Sequence, residues 1–436
     1  MLRNIAKWLT TAIAVLTVLL PLRAFAAESV ALDLTGPKPI LETYFNMHVR
    51  WGATTLHWPA APFHSWRVIT SETHWYNLEP EKGMWKFAAI DSAVKRAQEK
   101  GVEVLYMLGY PPRWAADTGL LREWNPGHAL PPRDMADWEN YLRQVVSRYK
   151  GRIKYYELMN EPHFTEVDGR WRSTRDFPVA TMVEMAHIAQ RVIGQIDPEA
   201  RLVSMSPSGG LAGIRRVEAF LKAGGGQYVD VLGFHFYSQR AEEIPEMVKA
   251  LRKVMAESGQ SHLPIWNTES GFYIDGPDKA HGKGRRPEHQ PLYTPELAAA
   301  MVSRALTLGA AAGLHRFYWY SWDIPTMALA YGRGKEINAA GRAYVKTQEW
   351  LRGATIKECR TMDDRLWVCE MNRGERIARL VWNTTGHKSW TVPAHWQARQ
   401  YETLPGSRGS IDSVGRIQVG ETPILILSDD QDWGVV

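Results

Sequence analysis

Residues 153–162 read Ile-Lys-Tyr-Tyr-Glu-Leu-Met-Asn-Glu-Pro, a short β-prone run that stops at Asn-Glu-Pro. It is aromatic-rich and too short for a typical helix, so Ile153 to Met159 is expected to form a strand. Pro162 has no N–H to give to a ladder and ends it. Helical patterns flank it, Met135 to Tyr149 before and Pro178 to Ile196 after. A strand held between two helices is the unit of a parallel sheet covered on both faces.

The same alternation continues in both directions. Further strands are expected at Tyr44 to Val49, Ser65 to Thr70, Val102 to Leu108, Leu202 to Ser206, Val229 to Phe234, Pro264 to Thr268 and Leu314 to Trp319. Helices are expected at Phe87 to Lys100, Arg215 to Ala223, Pro245 to Ser258 and Thr294 to Ala311. Gly101 closes the first of the helices and Asp197-Pro198 the one after residue 178. Eight such strands imply a (β/α)8 TIM barrel, whose active site lies at the C-terminal strand ends. A doubly wound open sheet competes, but no Gly-rich phosphate turn follows the first strand. Gly224-Gly225-Gly226 comes after a helix instead.

After Trp350 the pattern changes to period 2. Leu366 to Met371, Ile377 to Trp382, Ser389 to Val392, Arg399 to Glu402 and Pro423 to Leu427 alternate polar with apolar residues. That is the mark of a small C-terminal antiparallel β-sandwich, to which Val30 to Leu34 is expected to add a strand. The expected division is a signal segment over 1–26, a barrel over 27–345 and a sandwich over 346–436.

The first 26 residues hold Arg3, Lys7 and Arg23 and no acid, around the uncharged run Trp8 to Leu20 and Ala24-Phe25-Ala26. This reads as a secretory signal cleaved after Ala26, the run being short of the roughly 20 residues that span a bilayer. An uncleaved inner-membrane anchor is the alternative, and the exported chain is expected to be periplasmic or secreted. The 436-residue chain carries a formal charge of +5. Without the signal, 49 Lys and Arg face 47 Asp and Glu, which argues against nucleic acid as a partner. In an oxidising compartment Cys359 and Cys369 are expected to form a disulfide. Two thiols without a nearby His do not complete a metal shell. The run 281–286, with Lys283, Arg285 and Arg286, is expected to be an exposed basic loop or a charged substrate rim. There are 19 Trp residues, whose flat apolar rings suit sugar stacking as well as core packing.

Glu161 would project from the C-terminal end of the fourth strand. Residues 265–271, Ile-Trp-Asn-Thr-Glu-Ser-Gly, set Glu269 at the matching end of the seventh. Two acids at facing strand ends are what glycoside hydrolysis needs, one to protonate the leaving oxygen and one for the anomeric carbon. A separation near ~5 Å implies a nucleophile and retained configuration. The chemistry is completed by carboxylates, so no metal or cofactor is required.

Asn160-Glu161-Pro162 with Glu269 closing the seventh strand resembles the clan A retaining glycoside hydrolases. A barrel followed by a β-sandwich looks most like glycoside hydrolase family 39. Arg67, Trp75, the run Glu79-Pro80-Glu81-Lys82-Gly83-Met84-Trp85 and the run from Leu108 to Trp114 are similar to its exopolysaccharide-cleaving branch. The resemblance implies Glu161 as acid/base, Glu269 as nucleophile and Asn160 as the binder of the 2-hydroxyl. It also implies Tyr237 as donor to the nucleophile, His235 at the same rim, and Arg67 and His48 near the nucleophile. Trp319 is the implied sugar platform, with Trp322 as alternative, while Trp75, Trp114 and Trp124 are candidates for stacking along a cleft. The long insertions of xylosidase members are missing, which favours an open cleft and endo action. Polysaccharide or oligosaccharide is the expected partner of a monomer, with exopolysaccharide export machinery a candidate. Competing readings are an exo-acting xylosidase type, an endo-glucanase or mannanase, and a carbohydrate-binding export accessory without turnover.

Overall fold

The computed structural model describes residues 32, 38–50, 57–117, 130–162, 177–277, 290–363, 365–428 and 433–434. The expected signal segment, Trp124 and the basic run 281–286 lie outside the described residues. Eight parallel strands form one sheet: β1 (Phe45–His48), β2 (Ser65–Val68), β3 (Glu103–Met107), β4 (Tyr155–Glu157), β5 (Arg201–Val203), β6 (Leu232–Phe234), β7 (Ile265–Ser270) and β8 (Arg316–Trp319). Their order is β5-β4-β3-β2-β1-β8-β7-β6. A parallel bridge between Val203 and Val231 joins β5 to the residues entering β6 and completes the ring. Among the described residues, seven helices of more than four residues cover the outside: α1 (Ala88–Glu99), α2 (Met135–Tyr149), α3 (Val179–Ile196), α4 (Leu211–Lys222), α5 (Ile244–Glu257), α6 (Pro295–Ala311) and α7 (Ala339–Leu351). The fold is thus the expected TIM barrel. Helix α7 runs on past residue 345, and the change to antiparallel sheet comes between Leu351 and Thr355.

Local chemistry explains the helices. The Asp134 carboxylate caps α2 by accepting from the Ala136 N–H at 2.8 Å. Its buried residues Trp138, Tyr141, Leu142, Val145, Val146 and Tyr149 recur at helical spacing and form the stripe that packs on the barrel. Helix α6 is buried on nearly all sides. It is sandwiched between the barrel and the C-terminal sheet, which accounts for its lack of a polar face.

Inside the barrel, side chains alternate between lumen and helices in layers. Leu105, Val203, Val231, Trp266 and Tyr318 pack together as an apolar floor. Arg316 lies over the Tyr155 and Trp266 rings, 4.5 Å from each, and pairs with Glu103 at 2.8 Å. One rung higher, toward the C-terminal ends, His48 and Glu157 meet in the lumen around the Arg67 guanidinium.

The second unit comprises β9 (Thr355–Thr361), β10 (Leu366–Arg373), β11 (Arg376–Asn383), β12 (Lys388–Thr391), β13 (Ala398–Thr403), β14 (Arg408–Ser410), β15 (Arg416–Val419) and β16 (Ile424–Ser428). Six of them form an antiparallel sheet, and β12 pairs with β15 over it. Val368, Val381, Val392, Trp396, Ile417 and Ile426 fill the space between, as a sandwich requires. The other face of the large sheet packs on the barrel. There Arg304 of α6 donates to the carbonyls of Asn383 and Glu421 and pairs with Glu242, and Trp382 donates to Glu242 at 2.9 Å. Cys359 and Cys369 stand opposite each other in the β9–β10 ladder and form the expected disulfide. Of the strand expected at residues 30–34 only Leu32 is described, and its N–H donates to the Cys359 carbonyl at 2.9 Å. Among the described residues no helix is long and apolar enough to cross a membrane.

Candidate active site

Glu161 lies four residues beyond β4, where the chain continues as an irregular ladder. The Ser206 N–H donates to the Met159 carbonyl at 2.9 Å, and the Glu161 N–H donates to the Ser206 carbonyl at 3.0 Å. Glu161 itself has a positive φ of 46°, an uncommon backbone state for a side-chain-bearing residue that recurs at functional sites. This turn lifts its carboxyl to the barrel mouth, where it is about one third exposed. Glu269 comes from the end of β7 and is nearly buried.

The structure brings the two acids together. Single acceptor atoms of Glu161, His235 and Glu269 all lie within 4.8 Å of one another. His235 Nδ1 is 2.8 Å from Glu161 Oε1, and the imidazole is fully buried at the end of β6. On the other acid, the Tyr237 hydroxyl donates to Glu269 Oε1 at 2.8 Å, and Arg67 Nη1 donates to Oε2 at 2.7 Å. Two aimed donors suit an ionised carboxylate, which can only accept.

Arg67 ties the floor of the site together. Its Nε and Nη2 hold Glu157 in a fork at 2.5 and 2.8 Å, and Nη2 also donates to Asn160 Oδ1 at 2.8 Å. Burial alone would weaken its charge, but Glu157 and Glu269 beside it reverse this and hold its pKa above the usual arginine value. Asn160 in turn donates from Nδ2 to the Tyr110 hydroxyl at 2.8 Å. Tyr110 follows β3 with a φ of 54°, the second left-handed residue at this rim. The Tyr110 and Tyr237 hydroxyls are pushed upward, by burial first and with neighbouring carboxylates adding to it, so both stay protonated; Tyr237 donates to Glu269 while Tyr110 accepts from Asn160.

His48 sits beside Arg67, with Nε2 2.9 Å from the Thr268 carbonyl and Nδ1 4.0 Å from Glu269. Burial, with Arg67 second, holds it well below the usual histidine range. His74, after β2, packs on the Tyr110 ring at 4.5 Å and is pushed down to about 3 by burial. The unfolded chain would protonate both near pH ~6.5. The stability that a neutral His74 contributes is therefore complete above that value and is lost as pH falls toward 3, and His48 acts in the same direction. A His74→Leu variant is expected to lose less melting temperature than the unmodified chain between pH 7 and pH 4. Parallel melting curves in the two proteins would contradict this.

Several expected aromatic roles are corrected. Trp319 and Trp322 are both fully buried, so neither offers a ring face to a sugar. Trp319 packs against Phe317 and Phe272 on the helix side of β8, and the Trp322 Nε1–H donates to the Gly334 carbonyl. The lumen side carries Tyr318 and Tyr320, and Tyr320 borders the same cavity as His48 and Arg67. Its hydroxyl is raised by burial and then by Glu269, with Glu161 also contributing. Trp75 is core as well, stacked on Tyr141 at 4.5 Å and donating to the buried Glu79 carboxylate. Trp114 is half-buried and donates to the Glu79 carbonyl at 3.0 Å, edge-on to Trp75. The run from Glu79 to Trp85 thus forms a structural knot around Glu79, whose carboxylate also accepts from the Gly83 N–H. Sequence reading missed Glu157, Tyr110, His74 and Tyr320. The first stands within the decisive run itself, on the lumen side of β4.

Residues 63–204, from β2 through β5, match the family described as Glycosyl hydrolase family 10. Over 133 residues the chain is 29% identical to endo-1,4-beta-xylanase 5 of Arabidopsis thaliana, covering 30% of this chain and 22% of that protein. The chain therefore spans less than a quarter of the curated relative it matches. A family 39 glycoside hydrolase from the gut symbiont Bacteroides cellulosilyticus WH2 superposes with a TM-score of 0.65 at 16% identity, over 89% of this chain and 81% of that one. A GH30 endoxylanase from Clostridium papyrosolvens C71 gives 0.58 at 14% identity, over 91% and 98%. A GH39 β-xylosidase from Caulobacter crescentus gives 0.56 at 14% identity, over 91% and 98%. At these identities the structural likeness is one of fold.

Proposed function

We propose that this chain, whose family match and barrel support a clan A glycoside hydrolase, is an exported, retaining endo-glycosidase that cleaves a polysaccharide. The observation that carries the reading is the approach of Glu161, Glu269 and His235 within 4.8 Å at the barrel mouth. Inverting enzymes hold their acids roughly 6.5–9.5 Å apart to seat a water between acid and sugar, whereas retaining enzymes need about 5 Å.

In the first step Glu269 attacks the anomeric carbon while the glycosidic bond breaks, and Glu161 gives its proton to the departing oxygen. A glycosyl ester on Glu269 results. Water then attacks the same carbon, Glu161 takes its proton, and the Glu269 carboxylate leaves. Two displacements restore the starting configuration. Arg67 and Tyr237 orient the attacking carboxylate through one oxygen each. His235 fixes Glu161 from below the rim. Tyr110 takes one N–H of Asn160, and the amide carries a second, which we assign to the sugar 2-hydroxyl.

An extracellular polysaccharide, such as an exopolysaccharide, fits the export features of the sequence and the Cys359–Cys369 disulfide, a bond of oxidising compartments. The test is product size and anomeric configuration after incubation with a panel of soluble polysaccharides, with Glu269→Gln as control. Oligosaccharides released with retained configuration by the unmodified chain alone support the reading. Monosaccharide alone would move the assignment to exo action, and inverted product would remove the nucleophile role.

A further inference from the structure

On the underside of the barrel, at the opposite strand ends from Glu161 and Glu269, a cavity of about 460 Å³ opens where the chain enters β1, β7 and β8. Its wall carries Lys38, Arg252 and Arg316 with the imidazoles of His262 and His315. Among the described residues that line it, none is Asp or Glu. Arg316 pairs with Glu103 at 2.8 Å, but Glu103 is shared with Lys154 at 2.7 Å and His64 at 3.3 Å. Arg252 donates from Nη2 to the Gly313 carbonyl at 3.0 Å and the Ala312 carbonyl at 3.4 Å, which fixes its guanidinium beside the end of α6. Burial first, and then the Arg252 and Lys38 charges, push His315 below the usual histidine range, against a hydrogen bond to the Ile265 backbone. The two cations, from α5 and from the run before β1, therefore reach the same place.

Residues at this end of a barrel serve stability rather than the reaction, and like charges gathered there without a counter-charge work against stability. An anion from outside removes that repulsion. The donors stand on several sides of the cavity, which suits a phosphoryl group better than a carboxylate. A phosphate monoester presents three strong acceptor oxygens and about −1.5 to −2 of charge, whereas a carboxylate presents two oxygens and a single charge. The rest of the wall is apolar: Ile40, Leu263 and Leu314 are buried in it, and Leu41 beside them is 61% exposed. At ~30 Å³ per water the cavity has room for about fifteen waters, enough for a phosphate with a small organic group attached.

We propose that this cavity binds a phosphate monoester, free or on a lipid headgroup, with Lys38 and Arg252 as its charged contacts and the apolar wall against the esterified group. The site is separate from the glycosidase reading, because its occupancy is measured without turnover. The experiment is calorimetric titration of glycerol 1-phosphate and of acetate into the full chain, its Lys38→Gln variant and its Arg252→Gln variant. Beside it, the same proteins are co-sedimented with phosphatidylcholine vesicles, with and without phosphatidate. The vesicles without phosphatidate give the baseline for any attachment through residues 1–26. Glycerol 1-phosphate is expected to bind, and acetate about tenfold more weakly or worse. Lys38→Gln should weaken the phosphate about three- to tenfold and Arg252→Gln about tenfold or more, as loss of a hydrogen bond to a charged group dictates. Lys38 is exposed, so its variant keeps the fold and remains informative should Arg252→Gln loosen the end of α6. Sedimentation that depends on phosphatidate and falls in Lys38→Gln supports the site and names a lipid headgroup as the source. Binding of glycerol 1-phosphate without that sedimentation supports the site and names a soluble ester. Absence of both would overturn the assignment, as would equal affinity for acetate or unchanged affinity in both folded variants.

Discussion

Glu269→Gln is expected to lower turnover at least ~10³-fold, with the fold intact, because an amide cannot form the glycosyl ester. Glutamine keeps the shape of the side chain and one acceptor for Tyr237 or Arg67, so the melting temperature should move far less than the rate. Glu161→Gln should cost a similar factor on polysaccharide, by removal of the proton donor. The two losses differ in kind. Glycosides with strongly acidic leaving groups need no proton, so Glu161→Gln should recover much of the first step on an activated aryl glycoside, where Glu269→Gln should not. Exogenous azide can occupy the water position in the Glu161 variant and yield a glycosyl azide of retained configuration. Appreciable polysaccharide cleavage by either variant would end the assignment of these roles.

The second large effect concerns Arg67. Its guanidinium is fully buried and meets Glu157, Glu269 and Asn160. Arg67→Met leaves the Glu157 carboxylate in the barrel lumen without its forked partner. Breaking a buried ion pair from one side typically costs about 3–5 kcal/mol. A clear fall in melting temperature should accompany a loss of activity, since Glu269 also loses one of its two orienting donors. The double variant Arg67→Met with Glu157→Met removes the stranded charge and should regain part of the stability. It should not regain activity, because the deficit at Glu269 remains. Wild-type stability in the single variant, or activity restored in the double, would show that the network is not organised around Arg67.

Most of the architecture was legible because it is written in local signals. Asp197-Pro198 stops α3, Gly101 ends the segment after α1 with a φ of 65°, and each barrel strand is an apolar run between helical patterns. The sandwich was readable in part. Thr355–Thr361 escaped notice because it carries Lys357, Glu358 and Arg360 at close intervals, and Arg408–Ser410 and Arg416–Val419 because three or four residues are too few to show an alternation. The two acids were readable because each ends a strand within an unusual run. The abundance of tryptophan suggested sugar platforms, yet Trp66, Trp75, Trp138, Trp319, Trp322, Trp350 and Trp382 are all buried with less than 2% exposure.

The sequence by itself determined the order of strands and helices, the change to a sandwich and the pair Glu161 and Glu269, since each depends on neighbours a few residues apart. Only the tertiary structure decided which aromatic of Phe317-Tyr318-Trp319-Tyr320 faces the lumen, and that Arg67, Glu157 and Asn160 form one network. The physical reason is the parallel barrel itself. Its strands are buried on both faces, so they lack the polar–apolar alternation that reveals side-chain direction. A one-residue error of register then exchanges lumen for helix contacts, and Tyr320 for Trp319.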